Sequence, residues 1–105
     1  MLSAEPTHPR EVFFLEVERT ANRLRSMSLD KLESGTRVAD TRAVINEIAA
    51  HGALITGHAA GPVPALSSSA LADQLVVVAA VLPMNVEENQ VTGFSEALRS
   101  LRATL

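Results

Sequence analysis

The run from Ala70 to Leu82 reads Ala-Leu-Ala-Asp-Gln-Leu-Val-Val-Val-Ala-Ala-Val-Leu, with Asp73 and Gln74 its only polar side chains and Pro83 closing it. An element apolar on all sides has to be covered on more than one side, so this segment is expected at the centre of the fold. Its flanks suit a short core helix, with Ser68 or Ser69 as cap and Asp73 near the positive end.

Elsewhere the apolar positions recur at steps of three and four. Phe14, Val17, Ala21, Leu24 and Met27 form one helical stripe. Pro9 suits the first position of that helix, with Thr7 or His8 as its cap and Glu11 in the first turn. Glu16, Arg19 and Arg23 fall on another face and read as solvated, Glu16 and Arg19 as a surface pair. Ser28 to Gly35 reads as a turn or short helix, with Ser28 capping and Gly35 able to take the left-handed conformation.

A second long helix is predicted from Thr36 toward His58, with the stripe Val38, Thr41, Ile45, Ile48, Gly52 and Ile55. Gly52 costs about 1 kcal/mol of helix propensity relative to Ala, and marks either a close helix approach or a local weakness. Pro62 and Pro64 rule out helix between His58 and Ser69, so residues 59–68 are read as a long loop. The last helix has Asn85 as its predicted cap, with Glu88 three residues on as in a capping box. Val91, Phe94, Leu98, Leu101 and Leu105 follow on one stripe, and Arg99 and Arg102 suit its C-terminal end.

These elements predict a single all-α domain over residues 1–105, a small four-helix bundle-like fold with residues 1–8 as a flexible N-terminus. The competing reading makes strands of residues 12–17 and 75–82, giving a small α/β domain. A two-stranded sheet is marginal by itself, and no hairpin turn signal is present, so the helical reading is favoured.

Composition narrows the function classes. Hydrophobic residues make up 47% of the chain, but its only aromatic residues are three phenylalanines, so each core side chain buries little area. Self-association would offset that shortfall, and a homodimer or other protein partner is expected. The formal net charge of −3 gives no field toward nucleic acid or anionic lipid. Leu29 to Glu33 followed by Thr36 to Ile48 resembles a helix-turn-helix carrying Arg37 and Arg42. Asp30, Glu33, Asp40 and Glu47 offset those arginines, so nucleic-acid binding is not expected. No apolar run reaches the roughly 20 residues of a membrane span, and the N-terminus lacks the order of a signal peptide. A cytoplasmic protein without membrane contact is expected. The Ala-, Leu- and Val-rich composition, with Lys31 the only lysine, resembles that of proteins from GC-rich bacterial genomes.

Candidate chemistry is sparse. The absence of cysteine excludes disulfides, thiolate metal sites and cysteine nucleophiles. Ser67 to Ser69 lack a nucleophile elbow, and Gly57 to Gly61 lacks the lysine of a phosphate loop. Glu47, His51 and His58 project from one side of the second long helix, a ligand set that zinc, iron or manganese accepts. His51 and His58 are about 10 Å apart along the axis, so they need help from elsewhere, with Asp73 the one acid of the apolar run. No cofactor is expected.

The leading functional expectation is a non-enzymatic module for protein interaction or homo-oligomerisation. Its candidate surface comprises Leu71, Leu75, Val78 and Leu82 on one face and Ala72, Val76 and Ala79 on a smaller-residue face. A ligand- or metal-binding bundle using Glu47, His51, His58 and Asp73 is the alternative.

Overall fold

The computed structural model describes residues 8–56, 67–83 and 85–105, and every regular element among them is helical. Five α-helices are formed: α1 (Pro9–Ser26), α2 (Leu29–Glu33), α3 (Arg37–Thr56), α4 (Leu71–Ala80) and α5 (Glu88–Thr104), with one 3-10 turn, Ser68–Ala70, leading into α4. The protein is all-α. Residues 12–17 lie inside α1 and residues 75–80 inside α4, with 81 and 82 in the turn that follows, and none of the described helices is long and apolar enough to cross a membrane. The predicted loop at 59–68 and the N-terminus lie almost wholly outside the described residues.

Several boundaries follow local chemistry. His8, in extended conformation, accepts the Arg10 N–H at 3.3 Å, and Pro9 opens α1. Ser28 Oγ accepts the Lys31 N–H at 3.3 Å to start α2, and Gly35 makes the turn into α3 at φ +65°. Two boundaries differ from expectation. The serines place no side-chain cap on α4; Ser68 Oγ instead donates to Glu33 Oε2 at 3.1 Å, tying the 3-10 turn to α2. Helix α5 starts three residues beyond Asn85, with Glu87 at its cap position. The reason is Val86, which is buried: a helix begun at Asn85 would carry Val86 in its first turn, whereas here Val86 and Val91 occupy the two positions of a hydrophobic staple.

Cross-helix contacts fix the topology. Glu16, Thr20 and Arg23 of α1 meet Arg99, Arg102 and Leu105 in that order, so α1 and α5 run parallel. Arg10 reaches Leu82 and Pro83 while Arg25 reaches Asp73, so α4 runs antiparallel to α1. The α carbon of Gly52, near the end of α3, faces Leu82 and Pro83 just past the end of α4, so these two helices are parallel. The order is up, down, down, up. Helix α1 packs on α4 and α5, and α3 packs on the same two, so each long helix has two close neighbours around the core.

That arrangement corrects two expectations. A ring of four leaves every helix an outer face, and α4 is no exception: Val76, Val77 and Val81 are exposed, while Leu71, Ala72, Leu75 and Ala79 are buried. The stripe of α1 holds at Val17, Ala21 and Leu24, with Met27 packed against the core, and differs at its first member. Phe13 is fully buried against Phe94, ring centres 6.0 Å apart, whereas Phe14 is exposed. Three hydroxyls share the core with these apolar groups. Thr20, Thr41 and Ser95 each donate to the backbone carbonyl four residues earlier, which satisfies the buried hydroxyl proton within its own helix.

Candidate functional site

Two seams of α1 differ in chemistry. On the α5 side the residue predicted to lie in solvent, Glu16, is 2% exposed. Arg99 Nε donates to its Oε2 at 3.0 Å, Arg102 Nη1 lies 2.6 Å from Oε1, and Arg19 stands 3.8 Å from Oε2. Arg102 also donates to Thr20 Oγ1 at 3.2 Å, so one guanidinium joins two residues of α1. Burial by itself would raise the Glu16 pKa; the guanidiniums of Arg102 and Arg99 more than offset that and hold it below its ordinary value. A carboxylate so held stays ionised and paired, which suits a fastener between helices and makes a poor general acid.

On the α4 side the polar contacts sit at the two ends. Arg10 donates to the carbonyls of Leu82 and Pro83 at 2.6 and 3.1 Å, capping the end of α4 with positive charge where the helix dipole favours it. Its guanidinium also lies 5.4 Å from the centre of the Phe14 ring. At the far end Arg25 pairs with Asp73 at 2.9 Å. Between these clamps runs an open apolar groove of about 240 Å³. Val17, Ala21 and Ala79 form its buried floor, and Phe14, Val76 and Ala80 its exposed walls.

The groove continues onto the outer face of α4. Val77 is 59% exposed and Val81 71%, and with Val76 and Ala80 they occupy neighbouring positions of one helix face. Single exposed apolar residues are ordinary on a protein surface; a contiguous set flanking an apolar groove is not.

The residues singled out from sequence divide accordingly. Of the seven proposed for interaction, Leu71, Ala72, Leu75, Ala79 and Leu82 are buried within this chain, Val78 is half-buried and Val76 is exposed. Val77, Val81 and Phe14, which complete the exposed face, were outside that set; the valine run itself was the available signal, misplaced by one step around the helix. Among the candidate ligands, Glu47 is exposed and His51 is half-buried, its ring edge-on to Phe94 with centres 5.1 Å apart. His51 Nδ1 lies 3.3 Å from the Glu47 backbone carbonyl. Asp73 is on α4 and engaged by Arg25, and His58 falls outside the described residues. No cluster of three metal-ligating side chains occurs among the described residues.

A second hollow, of about 230 Å³, lies between the end of α1, α2 and the 3-10 turn. Its hydroxyls are already committed, Ser68 to Glu33 and Ser69 to Ser67. The chain matches no protein-family model, no curated protein and no solved structure.

Proposed function

We propose that this chain is a non-catalytic helical module that acts by protein association, through the outer face of α4 and the groove beside it. The observation that carries the reading is the contiguous exposure of Val76, Val77 and Val81 next to a groove walled by Phe14. Burying such a face returns about 25 cal/mol per Å² of apolar area, a gain the chain by itself leaves unused. The low aromatic content points the same way, because small core side chains leave a short domain little apolar area to spare.

Light scattering at micromolar concentration, together with binding of a hydrophobic dye, tests the proposal. The wild-type chain is expected to associate or to bind dye, and Val77→Asp to abolish whichever occurs while leaving the melting temperature of the dilute, monomeric chain unchanged. A monomer that binds no dye overturns the reading.

A further inference from the structure

The wall of the groove on α1 carries charge in an order that is complementary to its own reverse. Phe14, Glu18, Ala21 and Arg25 follow at steps of four, three and four, and all four line the groove. Glu18 and Arg25 are exposed and sit symmetrically about the middle of the Ala21–Asn22 step, roughly 10 Å apart along the helix. Turned end for end and laid over itself, this stripe sets acid against base at both ends. The position between them, Ala21, is buried in the groove floor, so no bulky side chain stands between the two charges.

Resting on the association reading above, we infer that the occupant of this face is a second copy of the chain. The two copies dock about a two-fold axis that passes beside Ala21, with Glu18 of each copy against Arg25 of the other. The same rotation brings α4 antiparallel to its own copy, with the exposed Val76, which shares the groove with Ala21, beside the axis. Charge at the rim then fixes register, and the apolar centre supplies the affinity. Asp73 stays beside Arg25 in this arrangement, so each interfacial pair extends an existing contact instead of stranding a charge.

Reversing the charges tests the register. Glu18→Arg and Arg25→Glu each place two like-charge contacts in the dimer, and each is expected to weaken self-association about tenfold, most strongly at low salt. Mixing the two variants restores both contacts as opposite pairs, so the mixture is expected to form a heterodimer close to wild-type affinity by sedimentation equilibrium. Both positions are on the surface, and unchanged circular dichroism with a cooperative melt at dilutions where wild type and variants are all monomeric confirms that the variants fold. A wild-type dimer indifferent to either reversal, or a mixture no tighter than its components, overturns the inference and leaves the association reading standing. A wild-type monomer that still binds dye through Val77 overturns the second copy as occupant. A wild-type monomer without dye binding overturns both.

Discussion

Helix α1 closes one seam with charge and leaves the other open with carbon. Toward α5 a carboxylate is enclosed with two arginines and the joint is complete; toward α4 the polar groups grip only the ends, and valines face outward. Simple partition of apolar inside and polar outside would reverse these two assignments. The contrast teaches that burial follows the number of neighbouring helices before it follows residue type. A polar group is buried when its partners arrive with the neighbour, and an apolar one is exposed when no third neighbour exists.

The sharpest way to break the comparison uses adjacent phenylalanines. Phe13→Ala removes a fully buried ring and is expected to cost about 3–5 kcal/mol in denaturant unfolding. Phe14→Ala, one residue on and facing the open groove, is expected to cost about 1 kcal/mol or less, since the ring is already partly in water and mainly carries Arg10. Equal losses would show that the two seams are not distinct.

Glu16→Gln tests the closed seam next. Loss of the charged contacts is expected to cost about 1.5–3 kcal/mol, limited because Arg99 stays half in water. The wild-type pKa is lowered in the folded state, so the unfolded chain binds more protons as pH falls below about 4.3. Stability from Glu16 is therefore fully present above that pH and is lost on acidification through the folded-state value. The variant should lack this part of the acid slope, read from melts between neutral pH and pH 3.

Gly52→Ala addresses the joint between α3 and the end of α4. An added methyl would meet Pro83 Cδ at 3.6 Å and Leu82 Cδ1 at 3.9 Å, ordinary contact distances, so the glycine is not required by close approach. Stabilisation of up to about 1 kcal/mol is expected from helix propensity. The smallest effect belongs to the open seam: Val77→Asp should change the unfolding free energy of the monomer by no more than about 0.5 kcal/mol.

How much of this was legible in the sequence depends on how far each determinant reaches. The stripe Val91, Phe94, Leu98, Leu101 and Leu105 is buried throughout, because a five-position repeat at helical spacing is a local signal that packing merely accepts. The turn at Gly35 and the Ser28 cap were legible for the same reason. The cap at Asn85 failed because the side chain of Val86 needed the core more than Asn85 needed to cap. Glu16 reads as solvated from the sequence because the two arginines that allow its burial lie 83 and 86 positions along the chain, where no spacing rule connects them. In α4 the composition announced an apolar helix correctly, but whether two or three helices surround it is a property of the assembled fold. The preference for arginine, legible only as a compositional bias, acquires a structural use: Arg10, Arg23 and Arg102 each reach across to another part of the chain, and the forked guanidinium of Arg10 serves two carbonyls at once where a lysine would serve as a point charge.

The parallel pairing of α1 with α5 also sets a timetable for biosynthesis. Arg99 is made 83 residues after Glu16, which at about 5–20 residues per second is roughly 4 to 17 s later. Until α5 is made, Glu16 lacks Arg99 and Arg102 and Phe13 lacks Phe94, so the closed seam of α1 cannot form. Helix α5 thus latches a seam that the elements before it leave open, and translation stalled before α5 would yield a chain whose α1 is uncovered on that side.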